Sequence, residues 1–275
     1  IFCDGPRTEE EKKNTDLVRA IAHDTTGFAS TTVIERDKNL GCAGSVIKGM
    51  EDMFSIYGEL IIIEDDVLCS PYTLQFLNRC LKKYEQEDTV FNISAWSPPL
   101  KKTETFSYYP YDIYFIPRFE CTGCWASWKN RWQRINWDVP DYAIFEHTPY
   151  LQYIYNIGGK DLTETIAAQM AGKIDSWAIR MDYARFKHGC LGLNPVYSYT
   201  TNIGFGSGTH TTAYTTRFDN DIRCAICAPS LSEYIFVDPQ ILAAYQNFYA
   251  PVQLSLPKRI TRKIRRILKK ISNRK

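Results

Sequence analysis

Leu60-Ile61-Ile62-Ile63-Glu64-Asp65-Asp66 is the stretch whose reading decides the fold. Four apolar residues without alternation read as a strand covered on both faces, which predicts a central position in a parallel sheet. Three carboxylates close the strand. Placing three negative charges at the end of a buried element costs free energy unless a cation offsets them. A divalent cation holding a diphosphate is the natural partner, because hard oxygen ligands suit Mg²⁺ or Mn²⁺. The simpler alternative is a solvated acidic turn, or a cap for the following helix. Ser70-Pro71 already supplies that helix with an N-cap and a first helical residue, which weakens the alternative.

Strands and helices alternate to either side of this stretch. Ile1 to Cys3 reads as the end of a strand, broken by Asp4-Gly5-Pro6. A helix from Thr8 to His23 carries Glu9, Glu10 and Glu11 in its first turn, where the helix dipole favours them. Thr31 to Glu35 is a β-branched strand, followed by a helix from Ala43 to Tyr57. Beyond the acidic run a helix extends to Lys83, and Val90 to Ser94 is a further strand. The alternation predicts an α/β fold with a doubly wound, mostly parallel sheet, whose ligands sit at the carboxyl ends of the strands.

After Trp96 the composition changes to proline, tyrosine and lysine, with a short strand over Ile113–Ile116. Trp125, Trp128 and Trp132 are spaced by three and four, which predicts one helical face. A long helical stretch covers Leu162 to His188, with an interruption near Gly172, and Leu191 to Thr200 is strand-like. Gly204, Gly206 and Gly208 mark a polar loop that ends in His210. The organisation is therefore one domain over 1–256, with a nucleotide-side half (1–100) and an acceptor-side half (101–256), and a separate tail over 257–275.

With 44% hydrophobic and 23% charged residues, the composition is that of a globular protein able to bury a full core. Aromatics reach 14%; they suit sugar rings, though core packing is their commoner use. Nine cysteines without scaffold density fit free thiols in a reducing compartment. Cys121/Cys124 and Cys224/Cys227 form two CxxC pairs, but they lie farther apart in sequence than the pairs of structural zinc sites usually do. No run approaches the ~20 apolar residues of a membrane span, and no signal peptide is read.

The segment LIIIEDDV, with SPY downstream, resembles the EDD form of the DxD motif in GT-A-fold glycosyltransferases, including the N-acetylglucosaminyltransferase I type. Five further segments resemble bacterial glycosyltransferases of surface-polysaccharide gene clusters: IFCDGPR (1–7), RDKNLGCAGSV (36–46), CTGCWASWKNRW (121–132), GKIDSWAIR (172–180) and TTNIGFGSGTH (200–210). They occur in the family's order. The resemblance implies that Asp66 binds the metal, that Asp65 lies near the ribose and that Glu64 faces the donor sugar. It places Asp4 against the nucleotide base, Asp175 at the catalytic base of inverting members, and His210 beside the metal or diphosphate. Trp125 is placed either in the core or as a floor for the sugar.

Chemistry supports these roles independently. Inverting transfer needs a carboxylate opposite the leaving diphosphate to take the acceptor proton, and partial desolvation of Asp175 beside Trp177 would raise its pKa toward that task. A glycine-rich loop permits His210 to sit on a lid. The implied activity is transfer from a nucleotide diphosphate sugar, a UDP-sugar first, to a glycan or lipid-linked acceptor. A non-catalytic carbohydrate-binding module of the same fold is the alternative. A nucleotidyltransferase is disfavoured because no glycine-rich phosphate loop is visible.

Two departures stand out. Family members begin with another strand and helix before the DGPR-like turn, which this sequence lacks, so it reads as a fragment. Cys124 stands where the family carries glycine.

The tail differs in kind. Residues 258–275 hold ten Lys or Arg and no acid, so the rest of the chain is net negative although the whole carries +2. Ile260, Ile264, Ile267, Leu268 and Ile271 form the stripe of an amphipathic helix. Such a helix suits an anionic membrane surface, each basic residue contributing ~1 kcal/mol. No nucleic-acid motif accompanies it. The expected location is cytoplasmic, peripheral on the inner face of the cytoplasmic membrane.

Overall fold

The computed structural model describes residues 1–120, 122–204 and 215–250, apart from the side chains of residues 102 and 103. The two-residue strand β1 (Phe2–Cys3) leads to α1 (Glu9–His23), whose N-cap Thr8 accepts the Glu11 amide. Strand β2 (Ile34–Glu35) pairs with β1 in parallel, and α2 (Gly41–Ile56) follows. Strand β3 (Glu59–Ile63) carries the apolar run into the acidic turn, and β4 (Val67–Cys69) leaves it for α3 (Thr73–Lys83). Ser70 begins a turn here instead of capping the helix: its hydroxyl accepts the Tyr72 amide, and Tyr72 is the N-cap.

Strand β5 (Val90–Ser94), the short helix α4 (Lys102–Thr105), and strands β6 (Ile113–Ile116) and β7 (Cys124–Trp128) come next. Helices α5 (Lys129–Trp132), α6 (Tyr142–Glu146), α7 (Pro149–Tyr155), α8 (Leu162–Met170) and α9 (Trp177–Lys187) build the next layer. The break between α8 and α9 falls where the sequence places it, at Gly172, whose φ of +65° suits a residue without Cβ. Strands β8 (Leu191–Pro195) and β9 (Thr200–Asn202) and helix α10 (Pro239–Phe248) complete the described chain.

The fold is mixed α/β, but the main sheet is not mostly parallel. Its order is β3-β7-β5-β8-β6, and only β5 and β8 run parallel. Strand β3 is not central either. Among the described residues it occupies an edge, with β7 as its one neighbour, and Ile63 is 48% exposed. Leu60, Ile61 and Ile62 of the apolar run still pack against core clusters on both faces of the sheet. Leu60 and Ile62 pack with Phe54, Trp125 and Met181 on the α2/α9 side, while Ile61 packs with Leu77, Ala126 and Trp128 on the α3 side. Facial cover dictates the run of apolar residues; it does not dictate whether an edge is paired.

The tryptophan segment is likewise a strand where a helical face is predicted. Cys124, Ala126 and Trp128 face one core cluster and Trp125 the other, the alternation of a β-strand. Pairing to β3 and β5 on both sides fixes that conformation. Only Trp132 lies in a helix, and it packs beside Trp125 at 6.5 Å between ring centroids.

Candidate functional site

The acidic turn sits at the carboxyl end of β3, pinned by backbone bonds from two sides. The Glu64 amide donates to the Gly123 carbonyl (2.6 Å), at the entry to β7, and the Ile203 amide donates to the Asp66 carbonyl (2.8 Å), just past β9. Strands β4 and β9 pair antiparallel, so the turn is braced by β7 on one side and β9 on the other. Asp65 points to solvent, while Asp66 is half-buried. Its Oδ1 is fully buried and has no hydrogen-bond partner among the described residues. Two glycines make room for this carboxylate. Gly123 (φ +87°) stands where a Cβ would lie 3.5 Å from Asp66 Oδ1 and would overlap Val67, and Gly204 abuts the other side of Asp66.

Helix α2 presents its amino end to Asp175. It begins at Gly41 without a side-chain cap and with no acid in its first turn. Asp4 takes the Leu40 amide with both carboxylate oxygens (3.1 and 3.0 Å), and Asn39 takes the Gly41 amide (3.0 Å). Among the described residues the next two amides, Cys42 and Ala43, have no acceptor. Cys42 reports what faces this helix end. Burial raises its thiol pKa first, and Glu64, Asp175, Asp65 and Asp66 raise it further, in that order. The charges of the acidic turn and of Asp175 therefore act on the first turn of α2, at the helix's positive end.

Asp175 reaches this space from the loop before α9. Its Oδ2 lies 3.7 Å from where a Gly41 Cβ would stand, and its Oδ1 is 3.8 Å from the Arg180 guanidinium. Ser176 caps α9 by accepting the Ile179 amide, which sets Asp175 just outside the helix. The predicted desolvation by Trp177 is absent. Trp177 is buried, but its ring packs inward on Trp125, and the Asp175 side chain is 60% exposed.

The remaining predicted residues divide. Asp4, in the turn after β1, is bonded to the loop before α2 through the Leu40 amide, and its carboxylate also takes the Gly5 amide. Trp125 is 0% exposed, stacked on Trp177 at 5.3 Å and edge-on to Phe119, so it belongs to the core and offers no face to a sugar. His210 and the tail over 257–275 lie outside the described residues.

Gly204 was read from the sequence only as a loop glycine, and Cys42, Gly123 and Arg180 were not singled out. All four fall within segments that carry the family resemblance, yet nothing in their residue types announces a role.

Among the described residues, no three His, Cys, Asp or Glu side chains converge as a metal cage, and Cys121 of the first CxxC pair lies outside the described residues. The acidic turn still fits a Mg²⁺-type ion. Such ions commonly take one or two carboxylates and complete their shell with water and phosphate oxygens, and the buried Asp66 Oδ1 has no partner among the described residues. No helix among the described residues is long and apolar enough to cross a membrane. The chain matches no protein-family model and no curated protein.

Proposed function

We propose that this chain is a metal-dependent, inverting glycosyltransferase of GT-A type. It would use a nucleotide diphosphate sugar, a UDP-sugar first, and a glycan or lipid-linked acceptor. The observation that carries the reading is Asp175 beside Gly41 at the amino end of α2, with the charges of Glu64, Asp65 and Asp66 acting on Cys42 in the same turn. Acids alone would collect cations, and a helix end alone would collect anions. Together they suit an ion-paired diphosphate.

Asp66 would hold Mn²⁺ or Mg²⁺ through Oδ1, and the ion when bound would offset the negative charge of the departing diphosphate. The Cys42 and Ala43 amides would donate to phosphate oxygens. Glu64 and Asp65 would take hydroxyls of the donor sugar and ribose. Asp175 would accept the acceptor hydroxyl's proton as that oxygen attacks the anomeric carbon. Its exposure suits a base that meets a solvent-borne acceptor, and Arg180 keeps a cation beside it. The basic tail over 258–275 would hold the enzyme on an anionic membrane surface, at the cytoplasmic face, where lipid-linked acceptors are presented.

Donor turnover tests the reading. UDP-, GDP- and dTDP-sugars would be assayed with Mn²⁺. One donor should turn over. Asp66→Ala should abolish turnover, and Asp175→Asn should lower it ~10²–10⁴-fold, the usual contribution of a general base. Full turnover in both variants would sink the mechanism. Glycan binding without turnover of any donor would instead favour a carbohydrate-binding module.

A further inference from the structure

Asp175 is exposed, yet its carboxylate has a defined place beside Gly41. The chain on either side explains why. Helix α8 ends in a Schellman turn: the Lys173 amide donates to the Ala168 carbonyl (2.9 Å) and the Gly172 amide to the Gln169 carbonyl (3.0 Å). Gly172, at φ +65°, supplies the left-handed residue that such a turn requires. Only Ile174 and Asp175 then separate the turn from Ser176, the N-cap of α9.

Ser176 is held at both of its backbone groups. Its amide donates to Gln169 Oε1 (2.6 Å), on a half-buried side chain that reaches across from α8. Its carbonyl accepts Arg180 Nε (3.3 Å) from within α9. The same guanidinium donates through Nη1 to the Trp137 carbonyl (3.4 Å) and lies over the Trp137 ring at 5.6 Å. Its Nη2 stands 3.8 Å from Asp175 Oδ1.

We propose that Gln169 and Arg180 are positioning residues for Asp175, which fix its carboxylate at the amino end of α2 so that an exposed base keeps one geometry toward the acceptor. Their role rests on the reading of Asp175 as the general base. A carboxylate on a free loop would have to lose backbone and rotamer freedom each time it met an acceptor. Clamping Ser176 at its N–H and C=O removes the backbone part of that cost before the acceptor arrives. The two clamps differ in kind. Gln169 is uncharged and sets only where the backbone stands. Arg180 adds a cation, and its planar fork lets one side chain meet Ser176, Trp137 and Asp175 together, which a lysine cannot do.

The test is a double-mutant cycle on the full chain between Asp175→Asn and Gln169→Leu, a substitution that keeps the size of the side chain and loses the acceptor oxygen. With the donor that the parent turns over, Gln169→Leu should lower kcat by roughly tenfold to 10²-fold, the latter being the cost of a ~1 Å misplacement. The donor KM should not change. In the Asp175→Asn background Gln169→Leu should have no further effect on kcat. Gln169→Glu, which still offers an oxygen to the Ser176 amide, should recover most of the loss, and Arg180→Lys should behave like Gln169→Leu. A second readout needs no donor. Cys42 follows Gly41 in the chain, and the Asp175 charge raises its thiol pKa, so Cys42 alkylation reports whether Asp175 keeps its place. Asp175→Asn and Gln169→Leu should each speed alkylation by a similar small factor, and the double variant by no more than Asp175→Asn alone. Additive effects on either readout would overturn the proposal, as would parental kcat and parental Cys42 alkylation in Gln169→Leu. A parent that turns over no donor would end the transferase reading, while the Cys42 cycle would still decide whether Gln169 holds Asp175.

Discussion

Gly204 lies against Asp66 so closely that a Cβ there would stand 3.0 Å from both Cβ and Cγ of the aspartate, and nearer still to its Oδ2. Gly204→Ala must therefore turn the carboxylate away from its place. The glycine lies just past β9, outside the buried clusters, so the fold should survive. Mn²⁺ affinity is expected to fall by roughly tenfold or more, the usual cost of disturbing a group that orients a ligand. Isothermal titration checks this against an unchanged melting temperature. Equal Mn²⁺ affinity in both proteins would show that Asp66 is not the ion's anchor.

The buried tryptophans make a second expectation, about stability instead of binding. Trp125 touches Phe119, Trp132 and Trp177 and has no exposed surface. Trp125→Ala should cost about 3–5 kcal/mol, the range for removing a large aromatic from a packed core. Trp125→Phe should cost less. Denaturant unfolding decides it. A near-neutral Trp125→Ala would return that ring to the list of sugar-facing candidates.

Local chemistry explains which parts of this molecule were legible in the sequence. Val90–Ser94 and Ile113–Ile116 were readable as strands because β-branched and aromatic residues form short bounded runs. The helix start near Thr8 and the break at Gly172 were readable because each depends on a few adjacent residues. Sheet order was not. β7 runs antiparallel between β3 and β5, and that insertion depends on partners more than thirty residues away. The Trp125/Trp128/Trp132 spacing fits a helix, and the pairing of β7 on both edges overrides it.

The site divides the same way. The acidic turn announces itself, because three adjacent carboxylates after an apolar strand are costly. Its company does not. Arg180 reads as one more helix cation, and only the loop before α9 brings Asp175 to the end of α2. Trp125 illustrates the opposite error: an aromatic in a segment with a functional resemblance is no less apt to be core.

Asp141 gives a pH test of how α9 is held. Its carboxylate accepts hydrogen bonds from Tyr183 (3.0 Å) and Lys187 (2.9 Å), both on α9. Burial pushes its pKa up, but the Lys187 and Tyr183 bonds more than offset this and leave it below the ordinary 3.8. A carboxyl whose folded pKa is depressed adds stability above its unfolded pKa and loses it as pH falls through the folded one. Asp141→Asn should therefore be less stable than the parent at pH 7, by a modest amount because the pair is partly exposed. The difference should shrink as pH drops below 3.8. Parallel stability curves from pH 7 to acid would contradict the assignment.

Cys42 offers the most direct check that the carboxylates converge. Its thiol pKa is raised by burial and then by Glu64, Asp175, Asp65 and Asp66, so at a given pH less thiolate is present than on an ordinary cysteine. Alkylation at pH 8 should be slower at Cys42 than at Cys69, whose pKa is lowered to about 7. Glu64→Gln removes the largest of the four charge effects and should speed Cys42 alkylation by a small factor, leaving Cys69 unchanged. Adding Mn²⁺ with UDP should block Cys42, because a diphosphate at the α2 amides would cover the thiol. Residue-resolved mass spectrometry separates the two cysteines in one experiment. Cys42 alkylation indifferent to both Glu64→Gln and Mn²⁺–UDP would mean that α2 and the acidic turn do not share a ligand.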